Sequence, residues 1–262
     1  MAAAEAARWS VWRMICLGLF TGIFSGLFGV GGGIILVPAL LVVLGMERRQ
    51  AAGTSLTAIV PMAAVGVISY GVAGQVDLLA ALLIAAGAVI GAQIGALLLA
   101  KLPVPVIRWV FIAFLGFVAV DLLVSVPSRE SALEIGWWSA AGLAALGLVT
   151  GILSSILGVG GGAVVVPALM LFFGSSDLVA KGTSLAMMIP TALSGTIANL
   201  RRGNVDLRAG LVIGFTASLT TVLGTLIAQW ISPLAGNILF ACFILVILVR
   251  MLLEEIRGWR RK

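Results

Sequence analysis

The sequence predicts an all-α integral membrane protein built from two inverted-topology repeats of about five hydrophobic segments each. Of its 262 residues, 61% are hydrophobic and only 10% are charged, with a mean hydropathy of +1.22. This balance leaves too little polar surface for a soluble globule. The charges fall in short runs between apolar stretches of about 15 to 25 residues, which is the length scale of a membrane-crossing helix. In addition, one long motif occurs twice.

The repeated motif defines the organisation of the chain. Residues 21–40 read TGIFSGLFGVGGGIILVPAL and residues 150–169 read TGILSSILGVGGGAVVVPAL, with 13 of 20 positions identical at an offset of 129. The same offset carries the GTSL of residues 53–56 onto residues 182–185 without a gap. We interpret the chain as one transmembrane domain over 1–262 with internal repeats at about 9–125 and 137–253, and expect any site where the copies meet.

Apolar runs bounded by charges and glycines give the individual segments. An apolar run follows Arg8 and Arg13, but no small-residue cleavage site comes after it, so it is expected to be retained as the first helix. The expected segments of the first repeat are 9–30, 31–45, 51–71, 76–100 and 106–124. Those of the second repeat are 137–159, 160–174, 180–200, 207–230 and 237–253.

Five segments per repeat is an odd number, so the second copy has the opposite orientation in the membrane if each segment crosses it. The same holds if each glycine-linked pair of segments folds back together. With the N-terminus inside, 14 of the 16 Lys and Arg residues lie on the inner side, and only Arg129 and Lys181 lie outside. Merging the first two segments of each repeat gives parallel repeats and an 11 to 5 split. A merged segment over 9–45 is also too long for one crossing at about 1.5 Å per residue. The positive-inside rule therefore favours inverted halves with both termini cytoplasmic.

The GVGGG sequences at 29–33 and 158–162 each interrupt a hydrophobic run. Consecutive glycines destabilise a helix by about 1 kcal/mol each relative to alanine, so a sharp turn or unwound link is predicted. Such backbone survives at membrane depth only when it is buried in protein or lines a wet cavity. The next helix then presents free N–H groups to an anion. The candidates are Gly31, Gly32, Gly33, Gly160, Gly161 and Gly162.

Two other interpretations of these glycines were considered. They could serve only to let helices pack closely, in which case no ligand is involved. Dinucleotide binding does not fit, because the spacing is not GxGxxG and no strand precedes it. Other glycine stripes, Gly18, Gly22 and Gly26 in one segment and Gly87, Gly91 and Gly95 in another, recur every four residues and are interpreted as packing faces.

Polar residues inside the apolar segments are the remaining binding candidates. Thr54 and Ser55, with their copies Thr183 and Ser184, lie just after a glycine at the expected start of the third segment of each half. Their hydroxyls either cap that helix or join the glycine amides around an oxyanion. Lys181 is either an outer-surface charge or the cation that balances the anion. The weaker candidates are Ser25, Ser154, Gln93 and Asn199.

Several classes of function are disfavoured by composition. The chain has no His and two Cys at non-equivalent positions, so neither a metal site nor a disulfide framework is expected, and no cofactor is predicted. The basic residues lie between apolar segments, a topogenic pattern, and nucleic acid is not an expected partner. No paired carboxylates and no nucleophile with its base are found in the segments, so an enzyme is not expected. A membrane scaffold would need no repeated helix breaks.

The repeated glycine core, the GTSL elements and the two-half plan resemble the TauE/SafE family of sulfite exporters, and the resemblance covers essentially the whole chain. The matching motif positions include Gly29, Gly31–Gly33 and Pro38 in the first copy, and their counterparts, with Pro167, in the second. Ser155 departs from the pattern at the position of Gly26. The resemblance implies a secondary carrier that exports sulfite, sulfoacetate or a related organosulfonate from a bacterial cytoplasm.

The expected setting follows from the segments and from the resemblance together. The partners would be a small anionic substrate and the lipid bilayer of the bacterial inner membrane, with protons as a candidate coupling ion because the sequence contains no Walker motif. A homodimer is a further candidate. An anion channel and an importer of another small anion are the alternatives to an exporter.

Overall fold

The computed structural model describes residues 10–98, 104–124, 136–157 and 161–259, and the regular structure in these ranges is helical throughout. Each expected segment corresponds to one helix, with its ends shifted by a few residues. The described helices are α1 Val11–Phe28, α2 Gly33–Val43, α3 Arg48–Val72, α4 Leu78–Leu98, α5 Val104–Val124, α6 Trp137–Leu157, α7 Gly162–Phe173, α8 Asp177–Arg201, α9 Leu207–Trp230 and α10 Pro233–Trp259.

Helix length separates two kinds of element. Five spans in the described ranges are long and apolar enough to cross a membrane: Val11–Phe28, Arg48–Val72, Trp137–Ser154, Leu207–Trp230 and Pro233–Leu253. Helices α2 and α7 have only 11 and 12 residues. At about 1.5 Å per residue they reach roughly 16–18 Å, which is well short of the ~30 Å core of a bilayer. These two short helices follow the two glycine sequences.

Helices α3 and α8, which occupy corresponding positions in the two sequence copies, pack against each other near the centre of the molecule. Gly53 near the start of α3 contacts Asn199 near the end of α8, and Gly182 near the start of α8 contacts Tyr70 near the end of α3. The two helices are therefore antiparallel, as inverted repeats require. The position of these helices relative to a bilayer stays a prediction.

The first helix of each half packs along the fourth helix of the other half. Gly18 and Gly22 of α1 contact Thr216 and Thr220 of α9. In the same way, Gly87 and Gly91 of α4 contact the carbonyl oxygens of Ala144 and Leu148 in α6. A side chain at any of these glycines would collide with the neighbouring helix, because the backbones are in contact.

The glycine stripes therefore serve as packing faces, which confirms the prediction made for Gly18, Gly22, Gly26, Gly87 and Gly91. The surroundings of Gly95 in α4 and of Ser155 in α6 are outside the described part of the structure. Across these faces the first helix of each half packs against the fourth helix of the other half, so neither half is a separate body.

Candidate functional site

The first glycine sequence forms a buried turn. Gly29, Gly31 and Gly32 have φ angles of 67°, 66° and 67°, a left-handed conformation that side chains with a Cβ rarely adopt. The turn folds the chain back, because Gly32 lies beside the Thr21 carbonyl oxygen, two helical turns before the end of α1. Met14 near the start of α1 belongs to the same apolar cluster as Leu40 in α2. Helices α1 and α2 therefore form a hairpin with the glycines at its tip.

Gly161 and Gly162, the described part of the second glycine sequence, lie at the end of a matching hairpin. Gly161, the residue before α7, contacts the Thr150 side chain in α6, as Gly32 lies beside Thr21. At the other end of the hairpin, Gly142 of α6 contacts the Phe173 ring at the end of α7. Gly160 lies outside the described residues. Gly161 has a φ angle of −70°, so at this position the glycine is required by close contacts and not by a positive φ.

The two hairpin tips touch each other. A Cβ atom placed on Gly162 would lie 2.7 Å from the Val30 Cα and 3.0 Å from the Gly29 carbonyl oxygen. Residues 29–33 of the first tip are buried, and Gly162 of the second is buried as well. The prediction that the glycine-linked helices of the two halves meet is thus confirmed as a contact between halves, while their placement at the bilayer midplane stays a prediction.

One face of α8 runs along both tips. Lys181 packs its main chain against Gly29, and Met188 lies against Gly31 and Gly162. Ser184 stands between them, three residues after Lys181 and four before Met188, on the same helix face. Helix α8 therefore closes one side of the space between the tips.

Hydrogen-bond donors are concentrated at the first tip. Residues 30–34 are buried, and apart from the turn at residues 31–32 their main-chain N–H groups show no hydrogen bond within the described part of the chain. Successive free N–H groups at a turn followed by a helix N-terminus attract anions, because their partial positive charges point at one region. Buried N–H groups are rarely left unpaired, so this cluster indicates an unmet need for an acceptor.

Three buried hydroxyls add to these donors. Ser25, Thr150 and Ser184 have side-chain oxygens with no hydrogen-bond partner among the described residues. Their side chains are at most 1% exposed. Ser25 and Ser184 were predicted as binding residues from the sequence, whereas Thr150 was not. Thr150 could have been found from the sequence, since it opens the repeated motif of the second half.

Lys181 is buried, and its ammonium lies 3.2 Å from the Asp177 carboxylate, with both side chains 2% exposed. The alternative that Lys181 is an outer-surface charge is therefore wrong. The spacing of four residues places the two side chains on one face of α8, where opposite charges pair. The role of Lys181 as the cation that balances an anion stays a prediction.

The two Thr-Ser pairs, Thr54 with Ser55 and Thr183 with Ser184, do not lie at the starts of helices as expected. Helices α3 and α8 begin at Arg48 and Asp177, several residues before the motifs, and Ser176 is the residue whose side chain caps α8. The alternative that these hydroxyls cap a helix start is therefore wrong. Instead, Thr54 accepts a hydrogen bond from the Asp206 N–H at 3.0 Å, in the loop before α9 of the other half.

The remaining candidates are spread over the structure. Ser55 donates to the Ala52 carbonyl oxygen at 2.8 Å, and Asn199 donates to the Gly195 carbonyl oxygen at 2.9 Å. Both hydrogen bonds lie within one helix. Ser154 is half-buried and Gln93 is exposed on α4. Their roles as ligands stay predictions, and the structure does not bring Gln93 into a buried space.

The polar groups near the two tips can all donate hydrogen bonds. Main-chain N–H groups and hydroxyls stabilise negative charge, and a buried ion pair adds no net charge of its own. Among the described residues, no cluster of three His, Cys, Asp or Glu side chains could hold a metal ion. The arrangement suits a small ligand that carries several acceptor oxygens.

Comparison with known proteins places the whole chain among membrane proteins. The sequence model of the family described as sulfite exporter TauE/SafE matches residues 2–122 and 143–262. A probable membrane transporter protein of Xylella fastidiosa is 27% identical over 92% of this chain and 94% of its own. One from Haemophilus influenzae is 24% identical over 92% and 98%.

A stronger but shorter match is the probable membrane transporter protein YunE of Bacillus subtilis, which is 32% identical over 43% of this chain. That match covers 44% of YunE, less than half of its length. No solved structure matches the chain.

Proposed function

The chain belongs to the sulfite exporter TauE/SafE family, and we propose that it is a secondary carrier that exports sulfite, sulfoacetate or a related organosulfonate across the bacterial inner membrane. Its membership, its several apolar helices and its similarity to probable membrane transporter proteins make it a multi-pass membrane transporter. The substrate and the direction of transport are the parts that we propose.

The single observation that carries the proposal is the contact between the two hairpin tips, Gly162 against Gly29 and Val30. Close to this contact lie the main-chain N–H groups of the first tip, and the hydroxyls of Ser25, Thr150 and Ser184 have no hydrogen-bond partner among the described residues. Sulfite and sulfonates present three acceptor oxygens with negative charge, so one such ion would satisfy several of these groups at once. Transporters built from opposed repeats use broken helices in this way.

Protons are proposed as the coupling ion. Asp177 supplies a buried carboxylate beside Lys181, whose main chain packs against Gly29, while both charged groups lie near Gly236 of α10. Ionisable residues inside membrane helices are costly and commonly belong to proton or ion pathways.

Flux in reconstituted vesicles tests this function. The purified full chain is placed in liposomes loaded with sulfite or sulfoacetate, and efflux is followed with and without an imposed pH gradient. We expect saturable efflux that responds to the gradient. Flux that rises linearly with concentration and ignores the gradient would indicate an anion channel, and uptake alone would indicate an importer. Vesicles without protein provide the background.

The setting in the cell is part of the same proposal. Both termini are placed in the cytoplasm, because that orientation leaves 14 of the 16 basic residues inside. A homodimer also stays a prediction, which the mass of the detergent-solubilised protein would test.

A further inference from the structure

We infer that Thr150 is a substrate-binding residue whose hydroxyl, together with that of Ser184, donates to an oxyanion held between the hairpin tips. This inference rests on the proposed function, because it assumes that the carried ion has acceptor oxygens. It adds an asymmetry that the near-identical motifs do not show.

The first evidence is a comparison of Thr150 with its copy in the other half. Thr21 donates its hydroxyl proton to the Leu17 carbonyl oxygen at 2.7 Å, within its own helix. Thr150 has the same preceding turn of α6 available, yet its hydroxyl has no partner among the described residues. Both side chains are fully buried. Only the hydroxyl of the second half is thus left for a ligand.

Ser184 and its copy repeat this difference. Ser55 donates to the Ala52 carbonyl oxygen at 2.8 Å, whereas the Ser184 hydroxyl has no partner in the described ranges and its side chain is 0% exposed. A buried hydroxyl that gives up water and finds no partner destabilises the fold, so two such groups in one half need a reason.

The two unpaired hydroxyls belong to one region. Thr150 contacts Gly161 through its methyl group, and Met187 contacts the same glycine. Ser184 lies one helical turn before Met187 and Met188 on α8, and Met188 contacts Gly31 and Gly162. Thr150 on α6 and Ser184 on α8 therefore belong to the two helices that border the described end of the second glycine sequence.

The charge preference follows from what the first tip contributes. Hydroxyls alone could serve either a cation or an anion, because their oxygens also accept. The N–H groups of residues 30–34 point the choice to an anion, since they are donors only and lie on the other side of the contact. The site would thus combine main-chain donors of the first tip with the hydroxyls of Thr150 and Ser184.

The chain contains its own matched controls for this inference. Thr150→Val and Ser184→Ala remove the unpaired hydroxyls, while Thr21→Val and Thr216→Val remove hydroxyls that already have partners in their own helices. Binding of sulfite, sulfoacetate and sulfate to each purified variant is measured by calorimetry in detergent, and the melting temperature is measured without ligand.

We expect the Kd for sulfite to rise about tenfold or more in Thr150→Val and in Ser184→Ala, as is typical for a lost hydrogen bond to a charged ligand. The two controls should change it less than about threefold. Without ligand, Thr150→Val should melt no lower than the parent, because it removes an unpaired polar group without changing shape. Thr150→Ser, which keeps the hydroxyl, should bind nearly as the parent does.

Two results would overturn the inference. The first is a parent-like Kd in Thr150→Val, and the second is an equal loss in Thr21→Val, since either would show that the unpaired hydroxyl has no special role. If the parent itself binds none of the three anions, the proposed function fails and the inference fails with it. A Thr150→Val protein that melts lower than the parent, and whose weaker binding is explained by that loss of stability, would likewise assign Thr150 to packing.

Discussion

The hydroxyl of Thr183 accepts a hydrogen bond from the main-chain N–H of Asp77 at 3.0 Å, and this contact joins residues 106 positions apart. The copies of these two residues make the matching contact, in which the Thr54 hydroxyl accepts from the main-chain N–H of Asp206, also at 3.0 Å. Each half therefore supplies the threonine to one contact and the aspartate to the other. Asp77 and Asp206 in turn accept from the N–H groups of Ala80 and Ala209, at the starts of α4 and α9. We call these two contacts the reciprocal clasps.

The clasps should contribute to stability. Thr54→Val or Thr183→Val leaves a main-chain N–H without its acceptor, so each should lower the free energy of unfolding by about 1–3 kcal/mol. Thermal unfolding in detergent measures this. Thr216→Val is the control, because Thr216 donates within its own helix to Val212. Unchanged melting together with weakened sulfite binding would instead support the interpretation of these threonines as ligands.

The buried ion pair should respond very differently to single and double replacement. Lys181→Met leaves the Asp177 carboxylate buried without its cation, which should destabilise the protein by about 3–5 kcal/mol. Adding Asp177→Asn should restore most of that loss. The exposed Arg202 provides a control, since Arg202→Ala should change stability by less than about 0.5 kcal/mol. A Lys181→Met protein as stable as the parent would show that the pair is not formed.

The glycine turns should be sensitive to added side chains for two separate reasons. Gly32→Val forces a β-branched residue into a φ of 67°. Gly161→Val keeps an allowed φ but collides with Thr150 and Met187. Both variants should lose the rise in melting temperature that sulfite gives the parent.

Two control variants distinguish a loss of anion binding from the effects of backbone strain and of disturbed helix packing. Gly45 has a φ of 64° with open space around it, so Gly45→Val carries the strain alone and should keep sulfite binding. Gly91→Ala collides with the backbone of α6 and should cost mainly stability, by about 1–3 kcal/mol. If Gly32→Val and Gly161→Val fold and still bind sulfite as the parent does, the tips serve packing and the ion binds elsewhere.

The topology can be tested at two exposed loops. The loop before α4 lies beside the start of α8, and the loop before α9 lies beside the start of α3. With inverted halves these loops lie on opposite membrane faces. After Cys16 and Cys242 are replaced by Ala, we expect Ala73→Cys to react with an impermeant thiol reagent added to whole cells, and Arg202→Cys to react only after lysis. Labelling of both from outside would exclude this topology.

Much of the fold could be predicted from the sequence, because bilayer-length apolar runs and triple glycines are local signals. The ten helices, the break after Phe28 and the packing role of Gly22 or Gly91 all follow from composition and spacing within one segment. The pairing of Asp177 with Lys181 was also available from their spacing of four residues. The corresponding residue of the first half is Ala52, so a comparison of the two copies does not indicate this pair.

Other parts depend on contacts that no local pattern carries. The hydrogen bond between Thr54 and Asp206 spans 152 positions and joins the two halves. The hydroxyl of Thr21 is paired and that of Thr150 is not, although the neighbouring sequence in the two copies is nearly the same. Sequence identity between copies therefore indicated symmetry at the place where the structure is asymmetric.

The exchange of helices between halves also sets an order for assembly during synthesis. Helix α1 uses its stripe of Gly18, Gly22 and Gly26 against α9, which begins at Leu207. At about 5–20 residues per second, roughly 10–40 s pass between the emergence of the two helices from the ribosome. During that interval the narrow face of α1 lacks its native neighbour, and lipid or an insertion chaperone must cover it. A nascent chain truncated after the first half would therefore be a substrate for quality-control proteolysis.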